Sequence, residues 1–137
     1  MPNVIDVLKQ DHRQVAELFS DFERTRASTV VEQICANLEV HAAAEELFVY
    51  PALREDVSSG SELAAQAEHE HAEAKRLIGR LKRTTTSERV SDMVAELKQT
   101  FERHVAEEEG TVFPKMQSDL KDTELYAIGA NVEEFEP

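Results

Sequence analysis

Two phrases in this chain carry the same chemical grouping, HAAAEELFVYP from His41 to Pro51 and HVAEEEGTVFP from His104 to Pro114. In each, a histidine is followed four residues on by a glutamate, then by an aromatic residue and a proline at matching offsets. On a helix that spacing puts both side chains on one face, so His41 with Glu45 and His104 with Glu108 each present an imidazole and a carboxylate together. His12 and His71 stand in apolar stripes of their own. A buried carboxylate without a partner is costly unless it is protonated or hydrogen-bonded, and each imidazole needs partners for its nitrogens. Cations meet both needs: neutral imidazole is a good ligand for iron, zinc or copper, and two carboxylates can bridge a pair of cations. Two divalent ions would set four positive charges against two carboxylates. A bridging hydroxide or oxide would then complete the site, with open positions for small exogenous ligands.

The elements that must hold these groups can be read from periodicity. Leu8, His12, Val15, Phe19 and Phe22 step by four and three, the stripe of an amphipathic helix. A second stripe runs Val31, Ile34, Leu38, His41, Glu45 and Phe48, after a capping box offered by Thr29 and Glu32. The turn signal SSGS precedes a third stripe of Leu63, Ala67, His71, Ala74, Ile78 and Leu81, with Ser59 and Glu62 as its cap. After TTTS, with Thr85 and Glu88 as cap, the fourth stripe reads Val90, Val94, Leu97, Phe101, His104 and Glu108. Every helix thus carries a histidine in its apolar face. Short connections make neighbours antiparallel, so the expected fold is all-α, an up-down-up-down four-helix bundle with a metal centre in its core. Pro51 and Pro114 are expected to end or kink the second and fourth helices. The bundle is assigned to residues 1–120, and residues 121–137 to a short helix around Leu125 or an acidic tail.

The halves also resemble each other. Asp11-His12 then HAAAE in the first is echoed by Glu70-His71 then HVAEE in the second, a pattern that would set two similar half-sites face to face.

With 137 residues, one domain is expected. A formal net charge of −13 repels phosphate backbones and anionic headgroups, which argues against nucleic acid and membrane surfaces as partners. Cys35 is the lone cysteine, the amino-terminal segment lacks the apolar stretch of a secretion signal, and no stretch is apolar enough to span a bilayer, so a cytoplasmic location is expected.

Taken in order, DHRQVAELF, HAAAEELFVYP, EHAEAKRLI and HVAEEEGTVFP resemble the hemerythrin-like (HHE cation-binding) family, over about residues 4–118. The resemblance implies a four-helix bundle around two iron ions, a non-haem di-iron centre with an oxo or hydroxo bridge. It implies His12, His41, His71 and His104 as terminal ligands and Glu45 and Glu108 as bridges. In the third helix His69 and His71 lie about 200° apart on the wheel and cannot share a face. The apolar stripe selects His71 and leaves His69 to solvent. Oxygen-carrying hemerythrins resemble this pattern but hold a fifth histidine where this sequence has Ala67; Glu68, His69 or water are the candidates for that vacant position. The vacancy favours reaction over reversible oxygen carriage.

A single histidine in an apolar stripe is ordinarily a hydrogen-bonded core residue; four on four helices with two glutamates favour metal. Glu46, Glu107 and Glu109 read as a solvated acidic face, Tyr50 and Phe113 as packing at the bundle end, with a hydrogen bond from the Tyr50 hydroxyl to a neighbour of the ligands as the alternative, and Cys35 as a small apolar filler. Ala42, Ala43 and Ala44, with Ala67 and Ala74, keep side-chain volume low near the centre, which suits either a small ligand or close helix packing. The functional expectation is a di-iron protein that binds or reacts with oxygen, peroxide or nitric oxide, including catalase-like peroxide decomposition. The alternatives are a metal or redox sensor or iron-handling module without turnover, and a structural or hydrolytic zinc site.

Overall fold

The computed structural model of the chain describes residues 3–136, and Met1, Pro2 and Pro137 lie outside that range. Among the described residues all regular structure is helical. Helix α1 (Val4–Thr25) starts at Asn3, whose side chain accepts the Asp6 amide proton at 3.1 Å, and stops where Arg26 turns left-handed at φ 56°. Helix α2 (Ser28–Ala44) runs into a π-helical turn at Glu45–Val49 and then α3 (Tyr50–Asp56). Helix α4 (Gly60–Lys82) returns, α5 (Ser87–Glu107) runs into a second π turn at Glu108–Val112, and α6 (Phe113–Asp119) and α7 (Asp122–Phe135) complete the chain.

The prolines act differently from expectation. Each falls at the second residue of a helix, α3 or α6, that continues directly from the turn before it, so the helical path does not end at the proline. The irregularity lies upstream, in a turn wide by one residue in which Tyr50 N–H bonds the Glu45 carbonyl and Phe113 N–H bonds that of Glu108. A proline ring collides with the carbonyl four residues before it in a regular α-helix, and the wider turn moves that carbonyl clear.

The three expected capping boxes do not form. Thr29 lies inside α2 and Thr85 precedes the residue that caps α5, while Ser59 is left-handed at φ 60°, a conformation that turns its hydroxyl away from the first amides of α4. What fixes the α3–α4 corner is Gly60. A Cβ there would stand 1.6 Å from the Leu53 carbonyl oxygen, so only glycine permits this approach.

Helix α1 packs on α2 and α5, α4 packs on α5 and α2, and α7 lies along α1 and the first π turn. Where a short helix or an acidic tail was expected, α7 runs for 14 residues, buries Leu125 and Val132, and sets Phe135 edge-on to Phe48 at 5.8 Å. The apolar interior divides into two clusters. Phe19, Phe22, Ile34, Leu77, Leu81 and Leu97 fill one end; Ile5, Leu8, Leu53, Phe113, Met116 and Leu125 fill the other. His12 falls between Leu8 and Val15, and His71 between Ala67 and Leu77, so the polar residues form a layer between two greasy ends. No helix among the described residues is long and apolar enough to cross a membrane.

Candidate metal centre

Each long helix delivers one histidine to that layer, His12 from α1, His41 from α2, His71 from α4 and His104 from α5, and each π turn opens on a glutamate, Glu45 or Glu108. None of the six is more than 7% exposed. The His12 Nε2 lies 3.0 Å from Glu108 Oε1, and the His41 and His104 Nε2 atoms each lie 3.3 Å from Glu45 Oε1. His104 Nε2 is also 3.2 Å from Glu108 Oε2, which places it between the two carboxylates. The structure therefore brings together all six residues singled out by the sequence.

The outward nitrogens are held by a ring of carboxylates. Glu109 takes His12 Nδ1 at 2.7 Å, Asp11 takes His41 Nδ1 at 3.1 Å and Glu70 takes His104 Nδ1 at 3.2 Å. A carboxylate on Nδ1 fixes the tautomer that leaves Nε2 free to bind a cation. Asp11 and Glu70, which precede His12 and His71 in sequence, thus serve the histidines of the neighbouring helices, and the repeat in the sequence becomes a crossed pair of supports. Glu109 is a correction to the reading of a solvated acidic face. Glu107 is exposed as expected, and Glu46 approaches His71 Nδ1 only to 3.9 Å while facing Lys75. The signal for Glu109 was its place directly after Glu108, the site glutamate that the repeat had already marked.

Tyr50 is the other correction. Packing was the preferred reading, yet its hydroxyl lies 3.2 Å from Glu45 Oε1, to which it donates, and 3.0 Å from His71 Nε2. Residues five apart in an α-helix diverge by about 140°, whereas a π turn stacks them, so the wide turn is what aims Tyr50 at Glu45. At the equivalent place Phe113 lies parallel to His12, ring centroids 6.0 Å apart. The half-sites thus differ by one hydroxyl. Near Ala67, Glu68 turns outward to Arg54 and His69 is exposed, so neither reaches the centre.

Without a cation this layer compensates itself with protons. Burial works against a charged His41, but Glu45 and the hydrogen bond to Asp11 outweigh it and push the imidazole up to about 10. His104 is raised well above the usual histidine range against the same burial, by Glu108 and Glu45. Burial would raise Glu45, yet His41 and the groups around it hold its carboxyl well below the usual range. Burial, and then the charges of Glu45 and Glu108, keep the Tyr50 hydroxyl protonated.

Whether the residues suit metal can be tested on their unmet bonds. The Nε2 atoms of His12, His41 and His104, with Glu45 Oε2 and Glu108 Oε1, are buried and make no aligned hydrogen bond even where opposite charges stand 3.0–3.3 Å apart, and His71 Nδ1 is buried without one. So many buried polar atoms without an aligned hydrogen bond in one layer are rare in folded proteins unless something else engages them. The donor atoms cluster in two overlapping groups, one of His12, His41, His104 and Glu108 and one of Glu45, His71 and His104, each within 4.8 Å. Imidazole and carboxylate in that number suit iron, zinc or copper.

An all-helical fold whose core holds a layer of histidines and carboxylates defines a helical cation-binding protein. The chain matches the hemerythrin HHE cation binding domain over residues 3–116 and belongs to that family. It is similar to a solved HHE cation binding domain-containing protein from Mycobacterium kansasii, with 27% identity and a TM-score of 0.82 over 98% of this chain and 88% of the other. A hemerythrin-like protein from Schizosaccharomyces pombe is 23% identical over 97% of this chain and 68% of its own length. A protein of Nostoc sp. named DNA nickase is 30% identical over 91% of this chain, which spans only 37% of that relative.

Proposed function

We propose that this chain is a non-haem di-iron protein in which an up-down-up-down bundle of α1, α2, α4 and α5 surrounds two iron ions. In this reading His12, His41, His71 and His104 are terminal ligands, Glu45 and Glu108 bridge, and the bound ligand is oxygen, peroxide or nitric oxide. The observation that supports it most is the set of buried, unpartnered Nε2 and carboxylate atoms converging from four helices. Iron held there would supply Lewis acidity and one-electron redox change to such a ligand.

The chain's own residues prepare that chemistry. Asp11, Glu70 and Glu109 orient three imidazoles and keep their outward N–H groups engaged. Phe113 stacked on His12, and Phe101 edge-on to it at 6.1 Å, wall the α1 side and exclude water. Tyr50, kept protonated, holds the one hydroxyl placed between Glu45 and His71, where it can donate a hydrogen bond to a developing charge.

Elemental analysis of protein purified without added metal tests the reading, together with visible spectra in air, after reduction and after peroxide. Near two irons per chain, with bands that respond to peroxide, is the expected result, and Glu45→Ala should lose the dinuclear spectrum while keeping most helix content. Zinc alone would replace it with a structural or hydrolytic site; a Glu45→Ala protein that keeps two metals and the parent spectrum would refute the bridging role.

A further inference from the structure

Helix α7 ends by carrying Glu136 to the outer side of the histidine layer. The Glu136 amide donates to the Val132 carbonyl at 2.9 Å, so the last helical bond fixes where its side chain starts. There it meets Asp11 of α1 and His41 of α2, and one donor atom of each lies within 4.8 Å of the others. The three stand in the wall of an open groove of about 660 Å³ between α1, α2 and α7.

The cluster is more than a patch of acid. His41 is 5% exposed, and its ring is the partition between groove and centre. On the groove side Nδ1 faces Asp11 at 3.1 Å, while on the other Nε2 faces Glu45 and makes no aligned hydrogen bond. Asp11 uses only Oδ2 on that contact, which leaves Oδ1 for another. Two carboxylates as close as Asp11 and Glu136 repel each other unless a proton or a cation stands between them. Burial, and then Asp11, push the Glu136 carboxyl up to about 8, as befits a pair without a counter-charge of its own. Asp6 and Glu133 add to the negative field of the groove, and among the described residues no lysine or arginine lines it. Elsewhere on the surface carboxylates are answered by lysine, Glu23 by Lys98, Glu39 by Lys82 and Glu46 by Lys75. A cleft lined by one sign of charge concentrates the opposite ion and speeds its capture. Carboxylate oxygens beside an imidazole suit a divalent first-row cation.

We propose that Asp11 and Glu136, backed by His41, form an outer site that captures a divalent metal ion from solution and passes it inward to the histidine centre. The inference rests on the reading of that centre as a metal site and adds the route by which the metal arrives. Asp11 touches both sides of the transfer, the captured ion through one oxygen and His41 through the other. Glu136 belongs to the outer site alone, so it can be replaced without removing a proposed ligand of the centre or the Asp11 contact with His41.

The test uses the full chain, metal-free, with Mn²⁺ and Fe²⁺ as the probes. Crystals soaked in Mn²⁺ should show an anomalous peak between Asp11 and Glu136 besides any at the centre, and Glu136→Gln should lose the outer peak alone. In anaerobic rapid mixing, Fe²⁺ uptake by the centre and its release to a chelator should both slow by about tenfold in Glu136→Gln, with the affinity of the centre kept within about twofold. A site on the path changes the barrier and not the end points, which a purely supporting role for Glu136 would not reproduce. Glu134→Gln, which removes the same charge from an exposed residue outside the groove, should leave both rates within about twofold. Glu136→Ala serves the same comparison if the glutamine variant does not fold. No outer Mn²⁺ peak in the parent, or iron uptake unchanged in the Glu136 variants, would overturn the proposal. So would a loss of affinity at the centre with unchanged rates, or equal slowing in Glu134→Gln. An outer peak in a chain whose centre holds only zinc removes the di-iron reading and leaves the outer site; two irons at the centre with no outer peak removes only the outer site.

Discussion

Replacing Tyr50 with phenylalanine removes a single oxygen from a fully buried side chain, in a protein that already places phenylalanine at the equivalent Phe113. The ring should therefore keep its packing, and the loss is confined to the hydroxyl's contacts with Glu45 at 3.2 Å and His71 at 3.0 Å. A hydrogen bond to a charged group contributes about 1.5–3 kcal/mol. Glu45 retains His41, His71 and His104 within 3.1–3.3 Å, so the lower half of that range applies and about 2 kcal/mol is expected for the metal-free protein. For a chain of this length, 1 kcal/mol moves the melting temperature by about 3 °C, so the variant should melt about 6 °C below the parent. Thermal unfolding followed by circular dichroism, after exhaustive chelation, measures this. A Tyr50→Phe protein that melts within about 1 °C of the parent would refute the argument that the π turn aims this hydroxyl at a charged carboxylate.

Three further outcomes follow from the same geometry. Asp11→Ala and Glu70→Ala should each weaken metal binding by about 10–100-fold in a chelator competition, while exposed Glu107→Ala changes it little. Because the pKa of His41 in the metal-free fold is raised to about 10, the stability its pairs contribute is complete below the ordinary histidine value and lost as pH rises through about 10. Metal must displace that proton, so affinity should rise from pH 6 to 9, with proton release visible by calorimetry in buffers of different ionisation enthalpy. Gly60→Ala, which forces a Cβ to within 1.6 Å of the Leu53 carbonyl oxygen, should cost at least about 3 kcal/mol in urea unfolding.

The order of four amphipathic helices, the face that each buries and the burial of four histidines and two glutamates in one layer were legible from sequence alone. All depend on spacing along one helix, and a histidine or glutamate at a core position has few explanations. Even the support of His41 and His104 by Asp11 and Glu70 left a trace, as an acid-histidine pair repeated in both halves. The capping boxes failed because a cap depends on the backbone conformation of one residue, and a left-handed Ser59 cannot be told from sequence. Spacing hides the role of Glu109, and ranks packing above a hydrogen bond for Tyr50, for a related reason. Periodicity assumes about 3.6 residues per turn, and both lie in or just beyond π turns, where one added residue per turn rotates everything downstream. Composition and spacing thus determined which groups would be buried together. Only the packed structure decided which of their neighbours face them, because that depends on local winding and on distances between helices far apart in sequence.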